Sequence, residues 1–276
     1  MSTDPIGIFD SGIGGLTIAY ALKSKLPNES FIYFGDTKHL PYGEKSEEAI
    51  KYYSLQIAKF LEQKRCKAII IACNSSSSVA FKYISQHITS IPIYNVIDPI
   101  IDIVSQDCSK KIGVIGTKAT IKSNVYPQKI SECCKQTKIV SLETPLLAPM
   151  IEEGFFNQEI SIVIIKNYLE NKCLENIDSL ILACTHYPLI KEEVIKFYNN
   201  RIKVIDSAEI ISEYIMKEFK KLNIINTNKN YSHHFIISNY TKSFEKSAFM
   251  FFKENIKLEE IDIWKSNSLY QKKYIV

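Results

Sequence analysis

IGIFDSGIGGLT, from Ile6 to Thr17, and IGVIGTKATIKS, from Ile112 to Ser123, are the two stretches on which the fold turns. Each is an apolar run that ends in a polar turn and opens an amphipathic segment, as a strand feeding a helix does. A second pair follows at nearly equal intervals: AIIIAC, from Ala68 to Cys73, and SLILAC, from Ser179 to Cys184. Any two βα units look broadly alike, but the shared Ala-Cys ending favours a genuine repeat. Further apolar runs read as buried parallel strands because turns bound them and polar alternation is missing. These are FIYFG (Phe31 to Gly35), IYNVI (Ile93 to Ile97), KIGVIG (Lys111 to Gly116) and KVID (Lys203 to Asp206). Between strands, Ser46 to Lys64 sets Ala49, Ile50, Tyr53, Ile57, Phe60 and Leu61 at helical spacing.

This alternation predicts an α/β fold with mostly parallel sheet. Two pseudo-symmetric domains are expected, each a sheet flanked by helices. The first takes residues 1–97 plus 207–276 and the second 98–206. After Ser207 the expectation is a helix, a strand from His233, and a helix through Phe244 to Phe252. The residues from Asp262, with Trp264 and Tyr270, give no clear pattern. Ligands of open α/β sheets bind outside the carboxyl ends of strands, so Cys73 and Cys184 are expected to face one cleft between the domains.

Composition narrows the function classes. Of 276 residues, 46% are hydrophobic and 23% charged, the balance of a globular protein. No apolar run approaches the roughly 18 residues of a membrane span, and MSTDPIGIFD lacks a basic segment followed by an apolar one. A cytoplasmic protein without membrane partners is expected. The net charge of +4 comes from scattered lysines, with Arg65 and Arg201 the only arginines, which argues against a nucleic-acid partner. The seven cysteines are an odd count without a C-x-x-C pair, so neither a disulfide framework nor a structural zinc site is expected. Cys66, Cys108, Cys133, Cys134 and Cys173 read as incidental residues in surface-like or helical settings. His87, His233 and His234 read as ordinary surface or packing residues.

Four turns carry candidate chemistry. In FDSGIGGLT, Gly12, Gly14 and Gly15 let the backbone approach a ligand, and the N–H groups of the next helix could receive a small carboxylate. Asp10 at the strand tip could orient a neighbouring group or serve as a helix cap. In ACNSSSS, Cys73 has the donors Asn74 and Ser75 beside it at a helix start, a field that favours a thiolate. A small buried hydrophobe is the other reading of that cysteine. In ACTHYP, His186 stands two residues from Cys184 and could hold it reactive, or be a satisfied structural histidine. In GDTKHLPYG, Asp36 and His39 precede Pro41, Tyr42 and Gly43, which shape a turn lining a pocket.

Taken together, the chain resembles the glutamate racemase family of the aspartate/glutamate racemase superfamily. The matching stretches are FDSGIGGLT at Phe9, GDTKHLPYG at Gly35, ACN at Ala72, GVIGTKATIKS at Gly113, PLLAPMIEEG at Pro145 and CTHYPLI at Cys184. They stand in the family's order and cover most of the chain. The resemblance implies an active site between two pseudo-symmetric domains, no cofactor, no metal and a homodimer. It implies catalytic cysteines at Cys73 and Cys184 with Asp10 and His186 assisting. Substrate contacts carry over to Ser11, Tyr42, Gly43, Asn74, Ser75, Thr117 and Thr185, with Pro41 in the same turn. The implied activity turns L-glutamate into D-glutamate for peptidoglycan. Where the family usually has Thr-Ala after Cys-Asn, this chain has Ser75 and Ser76; Ser75 keeps the hydroxyl on a looser side chain.

Two thiols suit such a reaction. Inversion at an α-carbon removes a proton on one face and returns one on the other. Two opposed groups can do this by exchanging protonation states. A thiol, with a reference pKa of about 8.5, is better placed for both duties than a carboxylate or an amine. The carbanion needs donors at the substrate carboxylate, which Asn74, Ser75, Thr117, Thr185 and backbone N–H groups could supply. No lysine site for pyridoxal phosphate stands out. The alternatives are an aspartate racemase of the same superfamily, a non-catalytic amino-acid-binding protein, and a lyase or decarboxylase using one thiol. The DSGIGG opening favours glutamate over aspartate, and a binder or a lyase has no need of two cysteines.

Overall fold

The computed structural model describes residues 3–106, 109–156, 158–265 and 271–275; Cys108 and Tyr270 lie outside them. Among the described residues eleven strands run in chain order: β1 (Ile6–Asp10), β2 (Phe31–Gly35), β3 (Ala68–Ile71), β4 (Ile93–Asn95), β5 (Lys111–Gly116), β6 (Lys138–Glu143), β7 (Ser179–Ala183), β8 (Lys203–Asp206), β9 (His233–Ile237), β10 (Lys257–Ile261) and β11 (Gln271–Ile275). They form two sheets, ordered β11-β10-β9-β2-β1-β3-β4 and β6-β5-β7-β8. Among the described strands, only the β10–β11 pair is antiparallel.

The block β2-β1-β3-β4 repeats as β6-β5-β7-β8, strand for strand. In each block the strand that opens the half sits centrally, with its second and third strands on either side. Ile6 pairs with Ala68 in the first sheet and Ile112 with Ser179 in the second. The two-sheet α/β architecture expected from the sequence is therefore present. The chain after Ser207 adds a helix, Ser207–Lys221, and then β9, β10 and β11 along the β2 side of the first sheet.

Every residue of β1, β2 and β7 is buried, because helices cover both faces of parallel sheet. One apolar cluster runs through both halves, from Ile8 and Ile70 to Val114 and Ile181. A second lies on the other face of the first sheet, where Ile50, Ile57 and Leu61 pack against Phe9 and Phe34. These three belong to the helix Glu47–Gln63, whose N-cap Ser46 accepts from the Ala49 N–H at 3.3 Å. Burying each such side chain contributes roughly 1.5–3 kcal/mol, and the cap about 1 kcal/mol.

The expected strands AIIIAC, IYNVI and SLILAC are shorter than their apolar runs. They stop at Ile71, Asn95 and Ala183, which leaves both Cys73 and Cys184 in the turns beyond. Of the cysteines expected in surface-like or helical settings, Cys66 is instead buried outside any helix, Cys134 is buried at the end of the helix Val125–Cys133, and Cys133 is exposed.

Candidate active site

One cavity gathers the loops after the carboxyl ends of β1, β2 and β3 and of β5, β6 and β7. Together with the open space at its mouth it encloses about 470 Å³. From the first half it is lined by Ser11, Pro41, Tyr42, Gly43, Cys73, Asn74 and Ser75. From the second it is lined by Thr117, Cys184, Thr185 and His186, with Glu152 beside them. All the residues singled out from the sequence as substrate contacts, and both cysteines, meet there. Asp10 does not line the cavity.

Cys73 leaves β3 through Ala72, whose N–H extends the ladder to the Phe9 carbonyl at 2.8 Å. Its sulfur caps the helix Asn74–Val79, accepting from the Ser76 N–H at 3.5 Å, while its S–H donates to Ser11 Oγ at 3.5 Å. Burial, and after it the Asp10 carboxylate, pushes the thiol above its ordinary value, against its hydrogen bonds with Ser11 and Ser76. The thiolate-favouring effect expected of a helix start is thus outweighed.

Cys184 directly follows β7, with its sulfur 3.6 Å from His186 Nδ1. The other ring nitrogen of His186 stands 3.9 Å from Glu152 Oε1, an ion-pair distance rather than a hydrogen bond. Burial works against the imidazolium. Hydrogen bonding to Cys184, then the proximity of Glu152, outweighs it and holds His186 well above the usual histidine range.

Asp10 supports the loops from behind. One carboxylate oxygen accepts from the Gly12 N–H at 3.0 Å, and the other from the Thr185 hydroxyl at 3.5 Å. Burial raises its carboxyl above the ordinary range, opposed by His186 and by the Gly12 and Gly15 N–H groups. The helix start expected to receive a ligand carboxylate is already occupied: Leu16, Thr17 and Ile18 donate to the carbonyls of Ile13, Gly14 and Gly15. The glycines serve a different end. A Cβ on Gly14 would meet the His186 ring and Thr185 Oγ1 at 2.5 Å, and one on Gly43 would meet Thr117 at 2.7 Å. Only bare backbone lets the two halves close this tightly.

Further bonds cross between the halves. Ser75 Oγ lies 2.9 Å from Thr117 Oγ1, the Tyr126 hydroxyl donates to Asn74 Oδ1 at 2.8 Å, and the Thr17 hydroxyl donates to the Thr185 carbonyl at 3.2 Å. Ser76, in place of the family's alanine, takes a hydrogen bond from the buried Ser54 at 3.0 Å, so its extra hydroxyl is satisfied.

Three buried polar atoms at the cavity have no hydrogen-bond partner among the described residues: Asn74 Nδ2, His186 Nε2 and Glu152 Oε1. Buried polar groups are nearly always paired, so this trio marks where a polar ligand would sit. Among the described residues, no three or more His, Cys, Asp or Glu side chains are grouped to hold a metal ion. Glu152 and Tyr126 carry no local signature in the sequence. Glu152 is one glutamate of the PLLAPMIEEG run, and only that run's place among the family motifs draws notice to it. His87 and His234 are exposed, and His233 stacks on Phe31 at 4.9 Å.

The arrangement has close relatives among known proteins. The model of the Asp/Glu/Hydantoin racemase family matches residues 17–215. Glutamate racemase 3 of Caldanaerobacter subterraneus subsp. tengcongensis is 37% identical over 246 residues, 88% of this chain and 89% of the relative. The glutamate racemase of Sulfurihydrogenibium sp. is 39% identical, over 94% of this chain and 97% of its own. The crystal structure of glutamate racemase from Francisella tularensis subsp. tularensis in complex with D-glutamate superposes with a TM-score of 0.90. That pair is 38% identical and covers 95% and 98% of the two chains. A doubled βα block, a cysteine after the third strand of each copy and this breadth of likeness have one explanation: the chain belongs to the Asp/Glu/Hydantoin racemase family.

Proposed function

We propose that this protein racemises glutamate, moving protons between Cys73 and Cys184 without a cofactor. The observation that carries the proposal is the pairing of these two thiols, from equivalent turns of the two halves, in one cavity with three polar atoms that lack a hydrogen-bond partner among the described residues. Asn74 Nδ2 and the protonated His186 offer hydrogen to a carboxylate, and Glu152 offers an acceptor to an ammonium. An amino-acid zwitterion supplies both. The D-glutamate in the Francisella tularensis relative supports glutamate as the particular amino acid.

In the proposed cycle a thiolate on one side takes the α-proton, and the thiol opposite gives its own to the other face. The two sulfurs finish with protonation states exchanged. Donors at the substrate carboxylate, from Asn74, Ser75, Thr117 and Thr185, stabilise the carbanion between these steps. Asp10 steadies the Cys73 side, while His186, backed by Glu152, presents a proton donor to the Cys184 sulfur. Ser11, Pro41, Tyr42 and Gly43 close over the substrate.

The wider setting follows from this activity. D-glutamate is proposed to feed peptidoglycan synthesis. Two free thiols working as acid and base fit the reducing cytoplasm. No helix among the described residues is long and apolar enough to cross a membrane. We further propose a homodimer, in keeping with the family resemblance, and a division into residues 1–97 plus 207–276 and 98–206. Purified protein in heavy water with L-glutamate, and no pyridoxal phosphate, tests the central claim. Deuterium should enter the α-carbon as optical rotation decays, and L-aspartate run in parallel should react far more slowly. Rotation that holds steady would refute the activity.

A further inference from the structure

Asp36 is wholly buried and lies outside the cavity lining, yet its carboxylate gathers four donors. Oδ2 accepts from the Tyr42 hydroxyl at 2.6 Å and faces His39 Nδ1 at 3.0 Å. Oδ1 accepts from the Ser238 hydroxyl at 2.7 Å and from the Trp264 indole N–H at 3.2 Å. Tyr42 and His39 belong to the turn that closes over the substrate; Ser238 and Trp264 belong to the turns after β9 and β10. A carboxylate this deep is tolerable only when fully paired, so it ties the C-terminal strands to the substrate turn.

Trp264 is the outer plate of this joint. Its ring packs edge-on against His39 at 4.8 Å and against Tyr53 at 5.2 Å, and His39 stacks on Tyr53 at 4.1 Å. Beside it, Lys38 pairs with Asp262 at 2.7 Å, and the Lys38 N–H donates to Ser238 Oγ at 2.9 Å. At its other end the turn presents Tyr42 and Gly43 to the cavity, with Gly43 pressed on Thr117. Any slack at Trp264 therefore reaches Tyr42 through one shared carboxylate.

We infer that Trp264 is a positioning residue for the substrate turn, so that the segment after β10 is part of the binding machinery rather than a passive extension. The inference rests on the racemase reading above. Loosening the turn weakens substrate binding more than proton transfer, because the groups at the two thiols are untouched. As the chain's one tryptophan, Trp264 also reports on the joint directly.

The experiment uses the full chain as wild type, Trp264→Phe and Trp264→Ala, with melting curves and steady-state racemisation of glutamate. Trp264→Phe, which keeps a ring and loses the N–H, should raise KM about threefold, and Trp264→Ala about tenfold, with kcat within about twofold. Saturating glutamate should change the wild-type tryptophan emission with a midpoint near KM. A KM unmoved in the folded variants, or an emission indifferent to glutamate, overturns the inference while leaving the racemase intact. Wild-type protein without glutamate turnover removes the racemase reading, and the inference with it. Should Trp264→Ala not fold, Trp264→Phe and the wild-type emission decide.

Discussion

The hydroxyl of Tyr126 donates to the side-chain carbonyl of Asn74 at 2.8 Å, joining the two halves behind the cavity. Burial holds that phenol far above its ordinary value, so it keeps its proton at any working pH. With Oδ1 engaged, the amide nitrogen of Asn74 is left toward the cavity, where no atom of the described residues accepts from it. Tyr126→Phe strands the buried carbonyl and frees the amide to turn. The loss of about 1–2 kcal/mol should lower kcat/KM about tenfold. Steady-state kinetics on the folded variant check this; wild-type kinetics would mean that Tyr126 does not orient Asn74.

How legible was this in the sequence? Strands buried on both faces, such as β1, β2, β5 and β7, are uniform apolar runs and can be read directly. KIVSLE at β6 and KLEEI at β10 mix polar with apolar residues because they are partly exposed, so neither stands out. The cysteines are legible because the Ala-Cys ending repeats. Glu152 and Tyr126 act only through contacts made across the fold, on neighbours no local pattern reveals. Asp10 was open between cap and chemistry. It does not cap the helix Leu16–Lys25, whose N-cap is Gly15 without a side-chain bond; instead it takes the Gly12 N–H in the turn and sits close enough to Cys73 to bias its thiol.

At Gly14 the two halves stand in close contact. An added methyl would stand 2.5 Å from the His186 ring and from Thr185 Oγ1, and one of the two loops must retreat. Gly14→Ala should therefore cost at least about a hundredfold in kcat, since misplacement by an ångström is that damaging. Far-UV circular dichroism should remain that of the wild type. Activity within a few-fold of normal would show that the loops have room to spare.

In the proposed cycle the two thiols divide the stereochemistry. Cys73→Ala and Cys184→Ala should each lose at least about a thousandfold in racemisation with the fold retained. Each variant keeps a base on one face only, so each should wash deuterium into one enantiomer of glutamate without inverting it, and the two should choose opposite enantiomers. Proton NMR in heavy water reads both results. If one variant exchanged both enantiomers, a single base would be reaching both faces.

His186 gives a pH signature whose sign is set by its surroundings. Burial disfavours the imidazolium, but Cys184 and Glu152 together hold it well above the usual range. The unfolded chain titrates near about 6.5, so the folded state binds this proton more tightly. The resulting stability is complete below that pH and disappears as pH rises through the folded value. His186→Gln lacks it at every pH and leaves Glu152 without its cation. The melting-temperature gap between wild type and His186→Gln should therefore be widest in mildly acidic buffer and narrow steadily toward alkaline pH. At neutral pH kcat should fall about a hundredfold, as expected when a proton donor at the reacting sulfur is removed. A gap that stays level, or widens with pH, would mean that the fold does not favour the His186 imidazolium over the unfolded chain, and the Cys184–His186–Glu152 chain would then lose its basis for holding a positive centre.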